Sequence, residues 1–485
     1  MEGMEGMEGG GMGAMSMPVG SVTPEIILVL GAVATLVYAL FAPRRLQRGS
    51  AVLALLTLAA SAAASAVMLR GPQTLTFFDT YAADDAAVWA KLIVLAVTAV
   101  TVALSVEWFA SDPRHGEYYT VLLLSALGAV VLAGAADLMA VILGVLLSSA
   151  TGYVLAAYHR TDARSGEAAI KYYLLGALTN GAMVYGAVLL FGVGATTTLL
   201  GLADALPGAD GPALVTGTGL VVLGLAFKLG AVPAHAWVPD VADGAPAPAA
   251  AFLTVAPKVG ALVAVGRLAA TLPEPDVGWR VVVAVLAAAT MTLGNLAALH
   301  QDDVRRLLGW SAVSQSGYGL MAVVALGRSD LAVTSLLYFL AAYAVANLAA
   351  FGVVVELRGR TDRASYAGLA TARPVLAGVL VLSFLSLVGI PPLAGFAAKV
   401  LLFSATVDAG YTWLALLAVA NTVLSLAYYV RVLAPSYFEP LPGPVPVLGR
   451  WAGGATVACG FGVVALGLAA EPLLEALARS SLLPG

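Results

Sequence analysis

Residues 219–260 read GLVVLGLAFKLGAVPAHAWVPDVADGAPAPAAAFLTVAPKVG. An apolar run carries Lys228. Pro233, His235, Trp237, Pro239 and Asp240 follow closely, and a second apolar run carries Lys258 directly after Pro257. A charge at the centre of a membrane helix costs ~2.5–3.5 kcal/mol on insertion scales. Proline removes helical hydrogen bonds and leaves backbone groups for neighbours or water to satisfy. Together these features predict a broken membrane helix that lines a polar, partly wet path.

The whole chain supports a membrane setting. Of 485 residues, 60% are hydrophobic and only 11% charged, and the mean hydropathy is +0.93. Soluble domains carry about 25% charged residues. The net charge of -4 is small, so nothing points to a nucleic-acid partner. The single cysteine, Cys459, sits in an apolar run and reads as an inert buried thiol. No Cys/His spacing suggests a metal or iron–sulfur site. Residues 1–20 repeat Met-Glu-Gly and read as a disordered low-complexity segment. They lack the basic region of a signal peptide, so the first apolar run is expected to remain as a helix. Which methionine starts translation is left open.

Apolar spans of bilayer length number about fourteen, giving an all-α polytopic membrane protein. They lie near 24–42, 50–70, 86–109, 117–134, 137–158, 166–193, 212–240, 247–271, 279–300, 304–326, 329–356, 373–407, 411–433 and 450–478. The seventh is broken near Pro233, and the twelfth at Gly389-Ile390-Pro391-Pro392. With the first loop (Arg44, Arg45, Arg48) assigned to the cytoplasm, alternation gives that side fourteen arginines. They include Arg114, Arg160, Arg164, Arg305, Arg306 and Arg431. The other side receives five: Arg70, Arg267, Arg280, Arg328 and Arg479. This is the positive-inside bias, and it places both termini on the non-cytoplasmic side. All five lysines (Lys91, Lys171, Lys228, Lys258, Lys399) fall within spans. Arginine keeps its proton, whereas a buried lysine can release one. The division of loop arginines from embedded lysines suits proton transfer.

Spans four to eight and nine to thirteen form two halves of opposite orientation, each with one broken helix, a pointer to a transport pathway. The expected organisation is a three-helix segment at 21–116, a first five-helix repeat at 117–272, an inverted second repeat at 278–434, and a C-terminal helix at 446–485.

The stretch FKLGAVPAHAWVPDVADGAPAPAAAFL (227–253) resembles the signature of the antiporter-like membrane subunits of respiratory complex I. It is most similar to subunit N of bacterial proton-translocating NADH:quinone oxidoreductase, with likeness running from about 117 to 434. The resemblance implies paired five-helix repeats. It implies a protonatable Lys228 at the first break, a central connecting Lys258, and a Lys399 linking the inner path to an exit. It matches Lys171 to a sixth-helix lysine, which Glu167 can reach at i,i+4; snorkelling to the interface competes with that reading. Lys91, near its helix start, reads as snorkelling. His235 is either a proton relay or a histidine fixed by hydrogen bonds at the break. Trp237 reads as packing, and Asp240 and Asp243 as capping or loop-facing. Ser311, Ser314, Gln315, Ser316 and Tyr318 either hold water or glue helices together.

One departure stands out. The family's fifth helix carries a glutamate in a Leu-Gly-x-Glu context that pairs with the sixth-helix lysine. Here that position is Leu146, and Asp137 lies only at the helix edge. A buried Lys171 without a carboxylate would favour its neutral form, unless water or Glu167 supports it. No nucleotide, flavin or CxxC motif is present, so no cofactor is expected on this chain. The resemblance assigns NADH, FMN, iron–sulfur clusters and quinone to partner subunits, both peripheral and in the membrane arm. It implies a bacterial cell-membrane subunit that translocates protons as electrons pass from NADH to quinone. Two alternatives stay open: a subunit of a multisubunit cation/proton antiporter, and a non-pumping scaffold.

Overall fold

Runs of bilayer length become helices throughout the chain. The computed structural model describes residues 19–112, 115–209, 211–358, 360–440, 443, 445 and 448–483. The Met-Glu-Gly repeats and Arg114 lie outside the described residues. The chain opens with α1 (Thr23–Phe41), α2 (Gly49–Met68) and α3 (Asp85–Trp108). Between α2 and α3 a short antiparallel hairpin, β1 (Thr74–Thr76) and β2 (Tyr81–Ala83), forms an element that hydropathy does not signal. Then come α4 (Gly116–Gly134), α5 (Leu138–Ala156), α6 (Ala163–Gly194), the short α7 (Leu199–Ala205) and α8 (Pro212–Leu229).

The seventh span breaks after α8 and resumes as α9 (Trp237–Gly244). The eighth is also split, into α10 (Ala247–Leu253) and α11 (Ala256–Thr271). That third interruption was not expected, although Pro257, at the start of α11, cannot donate to the turn before it. After the one-turn α12 (Glu274–Val277) come α13 (Trp279–Leu299), α14 (Val304–Ala325) and α15 (Ala332–Glu356). The short α16 (Leu369–Ala372) leads into α17 (Pro374–Val388) and α18 (Ala394–Asp408), the two pieces of the broken twelfth span. The chain closes with α19 (Thr412–Phe438), α20 (Arg450–Leu468) and α21 (Ala470–Leu477).

Helices occupy all fourteen anticipated positions, but only twelve among the described residues are long and apolar enough to cross a membrane. The other two positions are α14, which is long but rich in polar side chains, and the α17–α18 pair, whose first piece has 15 residues. The α10–α11 span is buried at every residue except Ala270, and α15 is mostly buried. Helices α1, α2, α6, α13 and α19 instead show broad apolar outer faces, with Leu30, Leu56, Leu178, Val281 and Val423 all exposed. The core of the bundle therefore belongs to the elements that carry Lys258 and pack on α14.

Two buried ion pairs fix α3, one to α11 and the other to α1. Asp84 caps α3 by accepting from Ala87 N at 2.8 Å. The same carboxylate takes a two-pronged bond from Arg267 of α11, at 2.5 and 2.7 Å, with both side chains fully buried. Lys91 Nζ lies 2.9 Å from Glu25 of α1 and is wholly buried. Both observations correct the sequence reading. Lys91 does not snorkel, because α1 supplies a carboxylate inside the bundle. Arg267 is not a loop residue, so the division of outer arginines from inner lysines does not hold at this position.

Candidate functional site

The first break starts where Gly230 adopts a left-handed conformation (φ +66), which favours glycine, and closes α8. Proline then blocks resumption of the helix, and the freed backbone groups need partners. Trp237 Nε1 donates to Phe227 O at 2.9 Å. Ser316 Oγ, from α14, donates to Leu229 O at 2.6 Å. Val232 N donates to Thr290 Oγ1 of α13 at 3.1 Å. Trp237 is thus more than packing: it satisfies a buried carbonyl and stacks on Tyr172, with centroids 4.2 Å apart. Trp237→Phe keeps the ring but orphans Phe227 O. It should cost about 1–3 kcal/mol, read as a lower melting temperature of the purified protein; an unchanged melt would contradict the role.

Lys228 sits in the last turn of α8 with no exposure. Its Nζ donates to Ser149 Oγ of α5 at 3.2 Å and to Tyr172 OH of α6 at 3.5 Å. Lys258 is likewise buried, in the first turn of α11. Its Nζ donates to Ala312 O and, at 2.8 Å, to Ser316 Oγ, both on α14. One hydroxyl, Ser316 Oγ, therefore touches the first break and the amine of Lys258.

The second break repeats this chemistry. Gly389 (φ +97) ends α17. Lys399 Nζ donates to Val388 O at 2.8 Å and to Thr422 Oγ1 of α19 at 3.2 Å. It also lies 4.2 Å from the centre of the Tyr318 ring, a favourable place for a cation. Gln315 Nε2 donates to Leu387 O at 3.2 Å. Consecutive residues of α14 thus reach the two breaks, Gln315 the second and Ser316 the first. Between Tyr343, whose ring lies 6.0 Å from Lys258 Nζ, and Lys399 there is a cavity of ≈ 10 Å³, also lined by Gln315 and Ser386. That is close to the smallest space that holds one water. For Ser311, Gln315, Ser316 and Tyr318 the choice between water and helix glue resolves toward direct hydrogen bonds: Ser311 meets Tyr429 OH at 2.6 Å, and Tyr318 meets Thr422 at 3.1 Å.

Lys171 differs from these three. Its side chain is 47% exposed and pairs with Glu167 at 2.6 Å and Asp240 at 3.0 Å. Of the alternatives left open for Lys171, the structure shows the exposed one, with Glu167 at its side as the i,i+4 spacing allows; the case of a buried lysine without a carboxylate does not arise. Leu146 turns to the outer face of α5, 41% exposed, while α9 brings an acid instead. Asp240 also holds Arg306 at 2.8 Å, so it faces two cations and is not a simple cap. His235 lies at the first break, half-buried, its ring 5.6 Å from that of Trp310. Its Nδ1 has no hydrogen-bond partner among the described residues. The structure thus sets Lys258 and Lys399 against α14, holds Lys228 at the first break between α5 and α6, and leaves Lys171 and Glu167 at the surface. Sequence reading missed Ser149, Tyr172 and Thr422. Their signal, lone hydroxyls in apolar helices, is shared with many packing residues.

Buried amines gathered at helix breaks, inside a bundle of many apolar helices, define a multi-pass membrane protein of the ion-translocating type. Residues 135–425 match the NADH:quinone oxidoreductase/Mrp antiporter transmembrane family. The chain is 43% identical over 476 residues to NADH-quinone oxidoreductase subunit N 1 of Streptomyces griseus, covering 97% of this chain and 100% of the relative. It superposes on a chain of Thermus thermophilus respiratory complex I, solved with bound Aureothin, with a TM-score of 0.82 and 31% identity, covering 94% of this chain and all of that one. A chain of the Mrp complex of Dietzia sp. shares the fold at TM-score 0.85 and 21% identity, over 95% of this chain and 97% of that one. The protein belongs to the NADH-quinone oxidoreductase subunit N family.

Proposed function

We propose that this chain translocates protons as a membrane-arm subunit of a bacterial NADH-quinone oxidoreductase, with NADH, FMN, iron–sulfur clusters and quinone handled by partner subunits. One contrast carries the reading. Apart from Lys228, the two cationic side chains with no exposure at all among the described residues, Lys91 and Arg267, are each matched by a buried carboxylate. Lys228, Lys258 and Lys399 are buried as deeply but, among the described residues, donate only to hydroxyls and carbonyls. An unmatched ionisable amine in hydrocarbon is too costly to keep for packing alone. On this reading Lys171, with Glu167, receives protons near the cytoplasmic face. Lys228 and Lys258 carry them inward, and Lys399 passes them to the exit. His235 serves as a relay at the break. The two glycine-ended breaks support a pair of inverted repeats at 117–272 and 278–434. The positive-inside pattern supports a cell-membrane location with both termini outside the cytoplasm.

The test uses the assembled complex in closed membrane vesicles. Lys228→Met should leave the complex assembled and lower the protons moved per NADH oxidised. Assembled complex with unchanged stoichiometry would refute the assignment and favour a scaffold.

A further inference from the structure

We propose that Asp240, by bridging Lys171 to Arg306, ties the outer lysine to the helix that holds Lys258. This rests on the proton-translocation reading above.

The geometry is specific. Asp240 Oδ2 lies 3.0 Å from Lys171 Nζ on α6, and Asp240 Oδ1 accepts from Arg306 Nη1 on α14 at 2.8 Å. Each oxygen has its own cation. The second carboxylate on Lys171, Glu167, is 63% exposed, against 19% for Asp240. Pairs as exposed as Lys171–Glu167 contribute little, so the better sheltered Asp240 is the partner that matters. Other charged groups lie near this bridge. Asp243, also on α9, sits 4.0 Å from Arg306. Asp303, Arg305 and Arg164 act on Asp243 through their charges.

The bridge has a direct consequence. Arginine does not give up its proton. If Lys171 releases one, Asp240 still faces a cation and is not left as an unpaired anion. The site can therefore change the charge on Lys171 without exposing a bare carboxylate. Asp240 sits three residues beyond Trp237, which fastens the first break. Arg306 lies on the helix whose Ala312 and Ser316 hold Lys258. A shift at the break or in α14 would move Asp240 relative to Lys171. Asp240 is thus a positioning residue that acts through Lys171.

The experiment compares Asp240→Asn, Asp240→Glu, Lys171→Met and the Lys171→Met/Asp240→Asn pair as assembled complex in vesicles. Proton translocation is normalised to assembled complex. Asp240→Asn should lower translocation by about five- to tenfold, within the usual range of coupling between sites. Asp240→Glu should restore most of it. In the Lys171→Met background the asparagine should add no further loss. Full translocation in Asp240→Asn would overturn the proposal, as would an equal extra loss without the lysine. If Asp240→Asn does not assemble, Lys171→Gln removes the same pair from the exposed side. Full translocation there overturns the proposal, and a loss that Asp240→Glu does not share supports it. Lys228→Met keeps the two readings apart. Translocation intact in Lys228→Met sinks the translocation reading itself, whereas translocation lost there but intact in Asp240→Asn sinks only the role of Asp240.

Discussion

Lys258→Met should abolish most proton translocation while leaving the complex assembled. Methionine fills the space of the lysine stem, so packing in α11 is retained. What disappears is the amine, with its bonds to Ala312 O and Ser316 Oγ. Hydrogen bonds from a charged donor contribute about 1.5–3 kcal/mol each, and each ~1.4 kcal/mol is a tenfold change in rate. Translocation should fall by at least about tenfold on that scale. Ser316 would still satisfy Leu229 O, so the first break should hold its shape. The measurement is vesicle acidification per NADH oxidised. Retention of full acidification would remove Lys258 from the path and leave the two breaks without an intermediate amine.

Asp84→Ala should produce the largest loss of stability. It strips Arg267 of its two-pronged partner and leaves a guanidinium buried at 0% exposure. Breaking one side of a buried pair costs about 3–5 kcal/mol. The damage extends further, because Asp84 also caps α3 and accepts from Leu483 N at 2.8 Å. The expected result is a marked drop in melting temperature and in the amount of protein recovered. Arg267→Lys should be nearly as harmful, since an ammonium cannot make the paired contacts of a guanidinium. A melting temperature unchanged in Asp84→Ala would show that the pair is dispensable.

Much of this fold is legible in the sequence because lipid permits few solutions. Long apolar runs, a proline-rich interruption after Lys228 and another before Lys399 locate the elements and both expected breaks. Burial is harder to read. Lys91 and Lys171 both sit near helix starts, and both invite the same snorkelling account. One is sealed against Glu25 and the other lies open beside Glu167 and Asp240. Glu25 and Asp240 lie far away in sequence and on other helices, and only Glu167 is within local reach, so local pattern cannot separate the two lysines. The same holds for Arg267, whose partner is Asp84. Leu146 invites the conclusion that a charge couple is missing. The structure brings an acid to Lys171 from across the first break, where no alignment of helix five would look.

Adjacent residues on an α-helix project about 100° apart. Gln315 and Ser316 therefore let a single rod grip two partners on different flanks, Leu387 O and Leu229 O. Neither break can slide along that rod without letting go of its handhold, and a rotation or one-turn slip of α14 would release both together.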